Sequence, residues 1–254
     1  MTTFAPDCLA GGSYLVTGAS SGIGRATAQL IAECGGRVIA NGRDAARLQE
    51  AVDSFAGAGH SASVMALHDA DQSADWVKQL VATHGPLNGV FHAAGVELIR
   101  PVRMSKQAHI DEVMGASLFA AAGIARACAQ KGAMVDGGAI VFMSSVAGSS
   151  GQSGMALYSA AKAAIDGMVR SLACEFAPRA IRVNGIAAGA VQTAMHERLT
   201  RGAPDAANAA YEHSHPLGFG EAADVANAAV FLLSPGARWI TGTTMVVDGG
   251  YLCR

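Results

Sequence analysis

Charge is scarce in this chain: only 15% of its residues are Asp, Glu, Lys or Arg, and nowhere do Lys and Arg gather into a patch. Surfaces that hold nucleic acid or anionic membranes need clustered cations, so neither is an expected partner at a net charge of −2. Paired cysteines are missing too. Cys8, Cys34, Cys128, Cys174 and Cys253 are odd in number, scattered and never spaced as CxxC, which excludes a disulfide framework and a cysteine-based zinc site and fits a reducing compartment. No uncharged apolar run approaches the roughly 18 residues of a membrane span. The opening MTTFAPDCLAGG lacks the basic-then-apolar pattern of a secretory signal, so a soluble cytoplasmic protein is expected. No Pro-, Ser- or charge-rich linker divides the chain either. What remains is 254 residues that are 51% hydrophobic, with 31 glycines, which suits one domain over 1–254 with a large, tightly packed core. So little surface charge also points to a homo-oligomer.

The apolar runs alternate with helical patterns. SYLVTG (13–18) leads through ASSGIG into an amphipathic segment with a glycine stop, and RVIANG (37–42) precedes a helix whose N-cap position is Asp44. The alternation continues with strands at 61–67, 88–95, 139–145 and 180–188 and a last one in TTMVVDGG. The helices between them fall at 72–83, within 105–131, after Met155 and at EAADVANAAVFLLS. Seven Val/Ile/Leu-rich strands, each followed by a helix, imply a parallel sheet covered on both faces. The segment 194–219 is more polar and Pro-interrupted, and is the candidate substrate lid.

Two stretches carry chemistry. In TGASSGIG, Gly18, Gly22 and Gly24 stand between the first strand and the first helix, where glycines let the backbone approach a pyrophosphate and the helix N-terminus receives its charge. The second strand ends in Asn41-Gly42-Arg43 with no carboxylate to bind a ribose 2′-hydroxyl, and arginine invites a 2′-phosphate, so NADP is expected over NAD. In SVAGSSGQSGMALYSAAK, Ser145, Tyr158 and Lys162 are thirteen and then four residues apart. A helix places Tyr158 and Lys162 on one face, where an ammonium would lower the phenol pKa, while Ser145 at a strand end could donate to a substrate oxygen. Such a pair also occurs as a mere solvated contact, and the triplet gains its meaning from the nucleotide-binding pattern at the other end of the chain.

Together with HAAG (92–95), YSAAK and RVNGIAAGAVQT in this order, these motifs resemble the short-chain dehydrogenase/reductase family over nearly the whole length. The resemblance implies a single doubly wound, Rossmann-type α/β domain with strand order 3-2-1-4-5-6-7. It implies hydride transfer between NADP(H) and a ketone or secondary alcohol carbon, and a homotetramer or dimer. It assigns the acid/base role to Tyr158, ribose binding and pKa lowering to Lys162, and polarisation of the substrate oxygen to Ser145. Cofactor contacts are implied for Gly18, Ser20, Ser21, Ile23, Gly24 and Arg43, for Asp69 and Ala70 at the adenine, and for His92, Ala93, Ala94 and Gly95. Tyr158, Lys162, Gly189, Val191 and Thr193 complete the cofactor set, and MVVDGG is expected near a subunit interface.

The chain departs from the family at three places. NNAG is HAAG, with His92 read as a strand-end structural residue; Pro-Gly is Ala188-Gly189; and the helical Asn of the proton relay aligns with Ser117. The last substitution is the one support for an alternative, a dinucleotide-binding regulator without catalysis. His196, His213 and His215 lack the further ligands of a metal site, and none is expected. The other alternative is a 3-oxoacyl-carrier-protein reductase. Relatives of that type carry an arginine for the carrier where this chain has Cys174, leaving Arg126 and Lys131, so a free, largely apolar ketone or its alcohol is the expected substrate.

Overall fold

A computed structural model describes residues 3–200 and 205–253. The chain alternates β1 (Ser13–Thr17), α1 (Gly22–Glu33), β2 (Arg37–Gly42), α2 (Ala45–Asp53), β3 (Ser61–Val64), α3 (Ala70–His84) and β4 (Leu87–His92). It continues through α4 (Gln107–Met114), α5 (Ala120–Cys128), β5 (Met134–Ser145), α6 (Ala156–Phe176), β6 (Arg182–Ala188), β7 (Val191–Gln192), α7 (Ala194–Thr200) and α8 (Asp205–His213). Two-residue β8 (Gly220–Glu221), α9 (Ala222–Leu233) and β9 (Thr244–Val247) complete it. Seven strands form one sheet in the order β3-β2-β1-β4-β5-β6-β9, and every pairing is parallel. The expected 3-2-1-4-5-6-7 order is therefore present, with β9 in the seventh place. The seven expected strands make up this sheet; two further short strands, β7 and β8, pair only with each other, in a small parallel ladder that brackets the segment 194–219.

Alternation along the strands splits the core. Leu15, Ile39, Val90, Ile140, Phe142 and Val183 face α3, α5 and α6, packing on Val77, Ile124, Ile165 and Phe176. Their neighbours Val16, Val38, Ala40, Phe91, Val141 and Ile186 face the other way, onto Ile31, Leu48, Val225 and Val230 of α1, α2 and α9. Both faces are apolar because helices cover both, and burying each such side chain contributes about 1.5–3 kcal/mol. Buried polar side chains lock the edges. Asn41 donates to the Ser63 and Met65 carbonyls across β3, and Arg182 donates to the Ser234 carbonyl at the end of α9.

The expected continuous helix within 105–131 is interrupted. Between α4 and α5, residues Gly115–Phe119 form a π-helical turn in which the Ala120 N–H reaches back to the Gly115 carbonyl. Such wide turns insert one extra residue, re-aim the side chains and concentrate at functional sites. Ser117 sits in this one and points inward, buried.

Candidate active site

Parallel pairing puts Thr17, His92, Ser145 and Ala188 at the C-terminal ends of neighbouring strands, on one edge of the sheet. The sheet order reverses between β1 and β4, the place where open α/β sheets leave a crevice for ligands. The glycine turn opens there. Gly18 and Gly22 have φ of 68° and 53°, which side-chain-bearing residues rarely adopt. A Cβ on Gly24 would lie 2.3 Å from the Gly18 carbonyl oxygen, so only glycine lets α1 start so close to β1. Ser21 at the N-cap of α1 makes no side-chain cap, and the first turn holds no acid, leaving the helix's first N–H groups and its positive end for an anion. Thr193, just beyond β7, completes the wall, its methyl 3.3 Å from where a Gly22 Cβ would stand. Val191 is buried beside it, and a Cβ on Gly189 would fall 2.8 Å from the Asp248 Cα.

At the end of β2, Asn41 is spent on β3 and Asp44 on capping α2, where it accepts the Arg47 N–H at 3.0 Å. Arg43 is exposed and makes no ion pair among the described residues. Asp69 is the N-cap of α3, accepting the Gln72 N–H at 2.8 Å, and Ala70 begins that helix. Ser20 lies against Gly42, so these residues stand together on the side of the sheet edge next to the start of α1, where they could hold the adenosine end of a dinucleotide.

Tyr158 and Lys162 lie one turn apart on α6, with Lys162 Nζ 5.5 Å from the centre of the Tyr158 ring. Lys162 is buried and donates to the Met143 carbonyl at 2.8 Å. Burial holds its pKa down to about 8, against the pull of Glu97 and Asp166. Ser145 ends β5, and its hydroxyl accepts the Ala147 N–H at 3.2 Å and donates to the Ala188 carbonyl at 3.5 Å, while its proximity to the Tyr158 phenol favours the ionised form. The expected lowering of the Tyr158 pKa does not occur in this arrangement. Burial pushes it up and the Glu97 carboxylate adds to the rise, and these outweigh the effect of Ser145.

His92 is buried, its Nδ1 lies 2.9 Å from Thr17 Oγ1, and burial drives its pKa down to about 4. Thr17 Oγ1 also accepts the Ala94 N–H at 3.1 Å, so a Thr–His pair steadies the turn that leads through Ala93 to Gly95. A Cβ on Gly95 would lie 3.7 Å from both Lys162 Nζ and Ser117 Oγ, which marks the narrow gap between those groups. Ser117 Oγ has no hydrogen-bond partner among the described residues.

The segment 194–219 holds two helices, α7 and α8, followed by irregular chain over 214–219; residues 201–204 lie outside the described residues. The His196, Tyr211, His215 and Phe219 rings pack together and onto Tyr251, with His215 stacked on Tyr251 at 4.8 Å. His215 accepts the Ala190 N–H on Nε2 at 3.2 Å, and its Nδ1 lies 3.0 Å from the Tyr211 carbonyl. Both nitrogens are thus committed to backbone. His213 is exposed.

Glu97 escaped the sequence reading. It lies just past HAAG and is half-buried, and it shifts the proton affinities of Tyr158, Lys162 and Tyr211 together. The signal was present as a lone carboxylate in the otherwise apolar run AAGVELI.

Comparison with known proteins agrees with this geometry. A family model described as enoyl-(acyl carrier protein) reductase matches residues 18–252. Carbonyl reductase family member 4 of Danio rerio is 35% identical, over 93% of this chain and 96% of its own. A 3-oxoacyl-[acyl-carrier-protein] reductase of Thermotoga maritima is 33% identical, over 95% and 98%. A solved structure from Beutenbergia cavernae, described as an NAD(P)-dependent gluconate 5-dehydrogenase with NADP bound at low occupancy, is 34% identical. It superposes with a TM-score of 0.89 over 98% of this chain and all of its own.

Proposed function

Because the chain belongs to the short-chain dehydrogenase/reductase family, and so is an oxidoreductase acting on CH–OH or C=O groups, we propose that it is an NADP(H)-dependent reductase of ketones, or dehydrogenase of the matching secondary alcohols. The observation that carries the reading is Tyr158, with the Lys162 ammonium 5.5 Å from its ring and Ser145 at the neighbouring strand end, at the edge where the glycine turn opens. The bound nicotinamide supplies or accepts the hydride. Ser145 donates to the substrate oxygen and fixes it beside Tyr158. Tyr158, held protonated by burial and Glu97, gives its proton to that oxygen as charge develops in reduction, and takes it back in oxidation. Lys162 stabilises the phenolate left behind and binds the nicotinamide ribose. Ser117, beside the ammonium, links it to water in place of the family's Asn. Gly18, Ser20, Ser21, Ile23 and Gly24 receive the phosphates, Arg43 the 2′-phosphate, and Asp69 with Ala70 the adenine. Ala93, Ala94, Gly95, Gly189, Val191 and Thr193 line the nicotinamide end.

In this reading the chain is one domain and 194–219 is its lid. The protein works in the cytoplasm as a homo-oligomer. The unpaired edge of β9, with Val246 half exposed, and Trp239, 88% exposed, support the last point. Among the described residues no helix is long and apolar enough to cross a membrane. Replacing Tyr158 by Phe removes the proton but not the cofactor cradle. Turnover should fall about 10²- to 10⁴-fold while NADPH binding, read by nucleotide fluorescence, stays nearly intact. Turnover within tenfold of wild type would reject the assignment.

A further inference from the structure

Two cysteines that lie far apart in the sequence are folded side by side. The N-terminal segment Pro6–Gly12 runs through successive turns, in which the Cys8, Ala10 and Gly12 N–H groups donate to the Ala5, Asp7 and Leu9 carbonyls at 3.1, 3.0 and 3.2 Å. It is tied twice to the junction of α1 and β2. The Leu9 N–H donates to the Cys34 carbonyl at 3.0 Å, and the Arg37 N–H donates to the Gly12 carbonyl at 2.9 Å. Between these bonds a Cβ on Gly35 would meet the Pro6 carbonyl oxygen at 3.2 Å and the Ala10 Cα at 3.3 Å, so the two stretches touch along their length. Cys34 ends α1 fully buried, and Cys8, half-buried, packs on the core cluster to which Cys34 belongs. The Cα of Cys8 is one carbonyl carbon from the Leu9 nitrogen, and that of Cys34 one carbon from the bonded oxygen. Standard bond lengths therefore hold the two Cα atoms within at most about 8 Å, and the usual bends at N–H and C=O bring them nearer. A disulfide spans roughly 4.4–6.8 Å between Cα atoms.

We propose that Cys8 and Cys34 are a redox-responsive pair, two thiols in a reducing medium and one disulfide when oxidised glutathione accumulates, and that the bond fastens the N-terminal segment to the end of α1. The proposal is independent of the reading of Tyr158. Burial pushes the Cys34 thiol's pKa up, with Cys8 beside it adding to the rise, so Cys34 rests protonated. Cys8 is the more accessible of the two and reacts first. Its thiolate attacks glutathione disulfide and releases one glutathione thiol; the Cys34 sulfur, giving up its proton, then displaces the second. Two protein thiols become one disulfide while one glutathione disulfide becomes two thiols, and excess reduced glutathione runs the exchange backward. Closing the loop from Cys8 to Cys34 restricts the unfolded chain and so favours the folded one. The twelve residues of α1 put about 18 Å between Cys34 and the glycine turn at its other end, so the bond stabilises the fold without reaching the phosphate seat.

The test incubates the folded full chain with oxidised glutathione, blocks the remaining thiols with N-ethylmaleimide in denaturant, and maps peptides without reduction. A linked peptide carrying Cys8 and Cys34 should form, and the melting temperature should rise by about 3–10 °C and fall back after dithiothreitol. NADPH affinity, read by nucleotide fluorescence, should be unchanged. Cys8→Ser should lose both the linked peptide and the thermal gain, as should Cys34→Ala. If the buried alanine variant does not fold, Cys8→Ser still decides, because a thermal gain that survives in it overturns the proposal. A lasting glutathione adduct on Cys8 with Cys34 still open to the maleimide also overturns it, as does a bond from either cysteine to Cys128, Cys174 or Cys253 in place of the expected one.

Discussion

Ser117 Oγ is buried without a partner beside Lys162, and a buried hydroxyl in that condition costs about 1–3 kcal/mol unless something completes it. An ordered water between Ser117 and the lysine would satisfy both groups and pass protons to Lys162, the work of the Asn that the family carries here. Serine brings one donor where Asn brings two, so the link is weaker but present. Ser117→Ala should slow turnover on the order of tenfold and shift its alkaline limb, a smaller loss than removal of the acid itself. An unchanged rate and pH profile would exclude Ser117 from proton delivery. At this scale the sequence was informative where spacing alone sets geometry, as with Tyr158 and Lys162 four apart on a helix. It was silent where geometry comes from the fold. Nothing local says that Glu97 acts on Tyr158, sixty-one positions later, and the Tyr158 pKa direction was misjudged because burial and Glu97 are tertiary effects.

The turn from β2 into α2 bears on the choice of cofactor. Asn41 and Asp44 have local employment in β3 and the helix cap, which leaves Arg43 as the one charged group at the strand end without a partner among the described residues. A free guanidinium pairs well with a 2′-phosphate and gains nothing from a hydroxyl, so kcat/KM should be higher with NADPH than with NADH. Exchanging Gly42 for Asp together with Arg43→Ala should reverse the order. A wild-type preference for NADH would show the arginine to be a bystander. The main strands and helices were readable because their apolar periods are long and regular. The π-turn at Gly115–Phe119 was not, because helical periodicity continues on both sides of it. Nor were β7 and β8, whose two residues each carry no period and pair only because the segment between them folds back.

Over the whole molecule, the distribution of charge bears on whether the substrate arrives free or on a carrier protein. An acidic carrier would be met by cations flanking the site, and exposed charges of that kind set encounter rate and orientation more than chemistry. On α6 the position that holds an arginine in carrier-dependent relatives is Cys174, which is exposed and uncharged. On α5, Arg126 is already paired with Asp71 of α3 at 2.7 Å and reaches the Ala70 carbonyl as well, so its charge is partly cancelled at the surface. Lys131, just beyond α5, and Arg170 of α6 are the cations left there without an ion pair among the described residues. With 15% charged residues overall, no distant field makes up the difference. Free ketones should therefore match or exceed carrier-linked 3-oxoacyl thioesters in kcat/KM, and the carrier-linked rate should change little between about 50 and 200 mM salt, because few ion pairs are there to be screened. Restoring the cation with Cys174→Arg and releasing Arg126 with Asp71→Asn should raise the carrier-linked value alone, and at low salt most. A hundredfold advantage for the carrier-linked thioester in wild type would show that the carrier docks through contacts other than these charges, and would make acyl-chain reduction the reaction of this site.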